Sequence, residues 1–228
     1  MITLGFDTAT EIGTIGLVDG EKVIGEYTFS ASESQSEKLL ASVDLLLEQT
    51  EVEISEIEKV AVSRGPGSFT GLRIGISTAK GLASGLDIPL VGVPLTDCYY
   101  SRVEKFPGSV ATLIKDRRDL VYMAGYDSKG QKTLEERSVS LEKLKEDLIP
   151  DLISEPGKLL LVGDGVPEHR KDLNDMNGAV LEAGCNNYPS GLQIAFLGQE
   201  EDARDEALAS LEPLYAQRPI AEINWSKD

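Results

Sequence analysis

The chain has 228 residues and a formal net charge of -17, from 39 acidic against 22 basic side chains. That length suffices for one large or two small domains with a real core, and that charge opposes capture of nucleic-acid phosphates by a bare surface, so any role on RNA runs through a basic partner. Two cysteines and one histidine are too few for a disulfide framework or a thiolate metal site and fit a reducing cytoplasm. The opening MITLGFDTAT reads as a strand without a secretion signal, and no apolar run reaches spanning length.

In chain order, strands are expected at Ile2 to Asp7, Gly13 to Val18 and Lys22 to Phe29, with Asp19-Gly20 as a hairpin turn. The first hairpin carries Asp7, Thr8, Ala9 and Thr10, a carboxylate and hydroxyls suited either to a nucleotide's metal and phosphates or to plain turn chemistry. A helix follows from Ser36 to Gln49. Leu39, Leu40, Val43, Leu46 and Leu47 share one face, which Ala41 and Leu45 widen beyond what one sheet requires. That width fits either a core face alone or a core face that continues into an interface.

A strand from Lys59 to Ser63 then runs into SRGPGSFTGLRIG, Ser63 to Gly75. Gly65, Pro66 and Gly67 permit a tight turn and close backbone approach, and the helix from Thr70 to Gly85 presents its first-turn amides as an anion site. The specific nucleotide motifs fit badly. Leu72 and Arg73 stand where a Walker loop needs Lys-Ser or Lys-Thr, and Gly65, Gly67 and Gly71 are one residue too far apart for a dinucleotide fingerprint. The segment reads instead as a packing loop. Gly71, Gly75, Ala79 and Ala83 recur every four residues, a nearly bare stripe against which another helix is expected to pack.

After a strand at Pro89 to Val93 the pattern restarts, with strands at Ser109 to Ile114, Leu120 to Tyr126 and Lys132 to Ser138, a helix from Leu141, and a strand at Leu159 to Val162. Gly163, Asp164 and Gly165 form a second acidic turn. The expectation is an α/β chain of two β-β-β-α-β-α halves, residues 1–98 and 99–228, with the tail after Ala183 packing on either half and the first as one choice. Lys115, Arg117 and Arg118 are diluted by Asp116 and Asp119, so they read as hairpin decoration rather than a tRNA site.

The motifs FDTAT, SEKLL, RGPGSFTGLRIG, AKGLA, KDRRDLVYMAGY, GDG and EPLYAQRP together resemble the TsaB (YeaZ) family, over almost the whole chain. Members are subunits of the bacterial machinery that makes threonylcarbamoyladenosine beside the anticodon of tRNA. The resemblance implies the ASKHA fold of actin-like ATPases and sugar kinases. It also implies a non-catalytic role, pairing through the two N-terminal helices with the related catalytic subunit TsaD, or with a second copy as a homodimer. Here the matching positions are Gln35, Ser36, Leu39, Leu40 and Val43 on the first helix and Gly71, Arg73, Gly75, Ser77 and Lys80 on the second. Gln35 departs from the histidine that many relatives carry. On this reading Arg73→Glu with Val43→Asp abolishes pairing and leaves the monomer folded.

The same resemblance implies a TsaE-type ATPase in the assembly, tRNA reached only through the complex, no cofactor for the isolated chain, and ATP or ADP with Mg2+ in the assembled complex. Any nucleotide contact would use Asp7, Thr8, Thr10, Gly163, Asp164 and Gly165. TsaD-like chains hold a metal through a histidine pair on one helix, whereas His169 stands alone. Peptidase chemistry lacks a Gly-x-Ser-x-Gly elbow and a metal pair, and offers only His169 as base for Cys98 or Cys185. The competing reading is a small ASKHA ATPase or phosphotransferase using Asp7 and Asp164.

Overall fold

In the computed structural model, which describes residues 1–30, 35–152, 158–174, 176, 178–201 and 210–216, the strand signals resolve into two sheets of the same topology. The first half runs β1 (Ile2–Asp7), β2 (Ile12–Asp19), β3 (Lys22–Ser30), α1 (Gln35–Thr50), β4 (Lys59–Gly65), α2 (Phe69–Leu86), β5 (Leu90–Pro94) and α3 (Leu95–Ser101). The second runs β6 (Ser109–Lys115), β7 (Leu120–Tyr126), β8 (Lys132–Ser140), α4 (Leu141–Lys143), a π-helical turn (Leu144–Leu148), α5 (Ile149–Leu152), β9 (Leu159–Val162), α6 (Gly165–Glu168), α7 (Arg170–Leu173), β10 (Ala179–Leu181) and α8 (Gly191–Glu200). Sheet orders are β3-β2-β1-β4-β5 and β8-β7-β6-β9-β10. In each, three antiparallel strands are followed by two added in parallel, so the duplication expected from the strand pattern is present in the topology.

Strand β1 shows how the layers form. Leu4 and Phe6, both fully buried, point toward Leu39 and Val43 of α1 and Ile76 and Ala79 of α2. Gly5 points to the other face, where a Cβ would lie 2.4 Å from the Ala195 nitrogen of α8. At Gly16 of β2 a Cβ would come within 2.1 Å of the Leu192 nitrogen, so α8 lies directly on the strands. Coverage on both faces explains why β1 and β4 read as almost continuous apolar runs, while β3 at the sheet edge is largely exposed.

The ends of α8 are tied into this sheet. Ser190 Oγ accepts the Gln193 N–H at 3.3 Å, and the Gly191 N–H donates to Thr14 Oγ1 at 3.0 Å. At the other end the buried Lys59 ammonium donates to the carbonyls of Gly198, Gln199 and Glu201 at 3.0, 3.3 and 3.0 Å, matching a cation to the negative end of the helix. Helix α3, absent from the sequence reading, links the halves. Its Cys98 and Tyr99 are fully buried in one cluster with Val110 of β6, Ala124 of β7 and Ile194 of α8.

Candidate partner face and interlobe cleft

Helices α1 and α2 lie side by side on the first sheet and sort their residues sharply between core and solvent. On α1, Leu39, Val43, Leu46 and Leu47 are buried, whereas Leu40 and Leu45 remain 47% and 38% exposed. On α2, Leu72, Ile76, Ala79 and Ala83 turn inward. Arg73 and Ser77 are exposed and Lys80 is half-buried, on a helix with no Asp or Glu in a chain of charge -17. Of the ten expected partner positions, Leu40, Arg73, Ser77 and Lys80 therefore reach this outer face. Gln35 and Ser36 open α1, and their side chains lie outside the described residues.

The remaining four belong to the interior, which corrects the sequence expectation. Leu39 and Val43 sit in the core. The glycines of the α2 stripe, Gly71 and Gly75, pack on the first hairpin of their own chain, whereas Ala79 and Ala83 lie in the core cluster with residues of α1 and the first sheet. A Cβ on Gly71 would meet the Thr8 carbonyl oxygen at 2.0 Å, and one on Gly75 would meet Thr8 Oγ1 at 2.5 Å. Thr8 Oγ1 also donates to the Gly71 carbonyl at 2.8 Å. A four-residue repeat of small side chains reports close approach and leaves open which backbone approaches. The Gly-Pro-Gly loop continues the contact, because a Cβ on Gly67 would meet the Ala9 oxygen at 2.5 Å and the Ser68 N–H donates to that oxygen at 2.7 Å.

Between the lobes lies a cleft of about 330 Å³, lined by Thr10, Glu11, Ile12, Lys115, Asp164, Pro167, Glu168 and Tyr188. Lys115 Nζ bridges it, 2.9 Å from Glu11 and 3.2 Å from Glu168, and the Lys115 N–H donates to Asp164 Oδ1 at 2.9 Å. Burial raises the Asp164 carboxyl to about 7, reinforced by Asp7 and Glu11 and opposed by the Lys115 contacts. Asp7 is wholly buried, and neither of its oxygens makes a hydrogen bond of sound geometry. Burial lifts it to about 6 against the weaker pull of the Ser63 hydroxyl and the N–H groups of Ala9, Thr10 and Thr8.

These residues do not fit a nucleoside triphosphate. Thr8 is committed to Gly71, and Thr10 Oγ1 donates to the Ile12 carbonyl at 2.8 Å. The lysine of the lining is already engaged by two carboxylates. Gly163, at φ +117°, is packed where a Cβ would strike the Leu113 oxygen at 2.2 Å, and Gly165 would meet the same atom at 3.0 Å. The acidic turn therefore serves packing against β6, and the reading of an ATPase built on Asp7 and Asp164 gains no support. His169 is buried with Nε2 unpartnered, and among the described residues no three His, Cys, Asp or Glu side chains are grouped to hold a metal. The Cys98 thiol, pushed by burial to about 12, is protonated at neutral pH and unsuited to nucleophilic attack.

A pH prediction follows from Asp7. Its carboxyl binds a proton more tightly folded, about 6, than unfolded, 3.8, so its contribution is fully present below pH 4 and is lost as pH rises through 6. Asp7→Asn is expected to exceed the wild type in stability at pH 8 by up to about 3 kcal/mol, the equivalent of roughly two pK units. The gain should vanish near pH 4. Urea denaturation across this range checks it, and a gain independent of pH would contradict a charge buried at this site.

Comparison with known proteins places this geometry. Residues 28–210 match the family model described as TsaD: tRNA N6-adenosine threonylcarbamoyltransferase. The chain is 29% identical to the tRNA threonylcarbamoyladenosine biosynthesis protein TsaB of Bacillus subtilis, over 99% of this chain and 98% of the relative. It is likewise 29% identical to TsaB of Escherichia coli, over 100% and 98%. A Pseudomonas aeruginosa protein described as similar to peptidase YeaZ superposes with a TM-score of 0.76 at 23% identity, covering 95% of this chain and 99% of that one. The activator of 2-hydroxyisocaproyl-CoA dehydratase from Clostridium difficile, solved with bound ADPNP, shares the fold at a TM-score of 0.53 and 11% identity, over 87% and 94%. The duplicated sheets are those of the ASKHA fold. This chain belongs to the family of the TsaD-type threonylcarbamoyltransferases and, within it, to the TsaB (YeaZ) line.

Proposed function

We propose that this chain is a non-catalytic subunit of the machinery that makes N6-threonylcarbamoyladenosine next to the tRNA anticodon, and that it binds and supports a TsaD-type catalytic subunit. The observation that carries the reading is the outer face of α1 and α2, with Leu40 and Leu45 open to solvent beside a helix bearing Arg73 and Lys80 and no acidic residue. The names of the full-length relatives support the pathway. Both partners belong to one family, so a second copy of this chain can occupy the same face when the catalytic subunit is absent.

A TsaE-type ATPase, ATP or ADP, and Mg2+ enter with the assembly and not through the interlobe cleft, and the tRNA is held by the complex because a charge of -17 repels it. The work is cytoplasmic, where tRNA is modified, and no described helix is long and apolar enough to cross a membrane. Reconstitution with the TsaD-type and TsaE-type proteins of the same organism, tRNA, ATP and the threonylcarbamoyl donor tests the reading. Modification should require this chain. Equal modification without it would refute the proposal.

A further inference from the structure

The segment of residues 210–216 is fastened to the end of the first lobe from which α2 departs. Leu211 is buried to 9% exposure against Gly92, the Leu214 N–H donates to the Arg64 carbonyl at 2.7 Å, and the Tyr215 ring stacks on Phe69 with centroids 5.4 Å apart. The Arg73 guanidinium carbon lies 4.0 Å from the centre of the same Phe69 ring. This is a cation and two aromatic rings held in one stack by separate parts of the chain.

The stack is not a core contact. Phe69 and Tyr215 keep 48% and 45% of their surface exposed, and among the described residues neither Arg73 nor Lys80 pairs with a carboxylate. With 39 acidic side chains in the sequence, cations that meet no carboxylate among the described residues, on an acid-free helix, mark a face complementary to carboxylates on another chain. Aromatic rings and arginine already ordered in the free protein lose little conformational freedom on docking, which is the character of residues that dominate binding energy. Phe69, Arg73 and Lys80 lie along one edge of α2, so the stack is continuous with the face proposed above.

Resting on that reading, we infer that the Tyr215–Phe69–Arg73 stack anchors the contact with the catalytic subunit, that the 210–216 segment is part of the binding face, and that the partner meets it with an apolar pocket rimmed by Asp or Glu. Binding then depends on a residue far from α1 and α2 in sequence. Carboxylates facing Arg73 make it sensitive to salt.

Calorimetric titration of the full chain with the TsaD-type protein of the same organism provides the test, with circular dichroism melting curves as a check on folding. Tyr215→Ala is expected to weaken binding at least tenfold and Tyr215→Phe, which keeps the ring, by less than threefold. Phe69→Leu, which keeps an apolar side chain on α2, should match the loss in Tyr215→Ala, so the result does not depend on one variant folding. Arg73→Gln should flatten the dependence of affinity on salt. Leu40→Asp separates the α1/α2 face from the aromatic anchor. If it abolishes binding while Tyr215→Ala and Phe69→Leu bind as the wild type does, the anchor is wrong and the α1/α2 face stands. If the wild type binds and none of the variants weakens it, both fall, and absence of binding by the wild type likewise overturns both.

Discussion

The double variant Leu40→Asp/Arg73→Glu is expected to lose at least a hundredfold in affinity for the TsaD-type subunit while melting within a few degrees of the wild type. Both side chains face solvent in the free chain, so the monomer tolerates the new charges. In the complex each new carboxylate would be stripped of water, and the one replacing the Arg73 guanidinium would face the acidic rim that Arg73 is proposed to meet. Each factor of ten in affinity takes about 1.4 kcal/mol, and an uncompensated charge in a tight interface costs several. The pair suggested by the sequence, Arg73→Glu with Val43→Asp, cannot make this test, because Val43 is 1% exposed in the core with Leu39 and Ile76. Its aspartate would unfold the chain, and loss of binding would then carry no information about the face. Titration beside a melting curve decides the matter, since a folded double variant that binds within tenfold of the wild type removes α1 and α2 from the contact.

Gly71→Ala should destabilise the chain by about 3 kcal/mol, although alanine is the better helix former by about 1 kcal/mol. The new methyl would lie 2.0 Å from the Thr8 carbonyl oxygen, a backbone atom held by the Thr8 to Gly71 hydrogen bond and by the packing of Gly67 on Ala9. Relief requires moving the first hairpin away from α2. Gly81→Ala, ten residues on in the same helix, meets nothing within 4 Å and should gain up to about 1 kcal/mol. Opposite signs of the two changes in urea midpoint are the expected result. Equal midpoints would mean that the stripe is not packed as described.

The strands were legible because their burial is simple. β1 and β4 are covered on both faces and read as apolar runs, and β6 and β7 do the same in the second half. Three residues of β10 give no period to detect. Helix α8 lies between elements and lacks a polar face, so GLQIAFLGQE shows no amphipathic pattern. Its start was nonetheless marked by Ser190-Gly191-Leu192-Gln193, which has the Ser-x-x-Gln spacing of a capping box.

The candidate face was legible in part. Spacing put Leu39, Leu40 and Val43 on one helical surface, but only the position of the sheet divides that surface into core and solvent. The glycine stripe announced close packing, while its partner, Thr8, is sixty-three residues away in sequence from Gly71. Lys115 looked like part of a diluted basic hairpin because its partners are distant in sequence, Glu11 in the first hairpin and Glu168 in α6. Tyr215 was visible as one letter of a tail motif, and its stacking on Phe69 depends on the course of the chain back to the first lobe.

This chain is proposed to form a defined complex with a TsaD-type subunit through α1 and α2. Light scattering during size-exclusion chromatography, on this chain alone and mixed with the TsaD-type protein of the same organism, tests it most directly. The expected result is a mixed species with the summed mass of one copy of each, formed at the expense of any homodimer and absent with Leu40→Asp/Arg73→Glu. Two separate peaks at high concentration, each keeping its own mass, would contradict it.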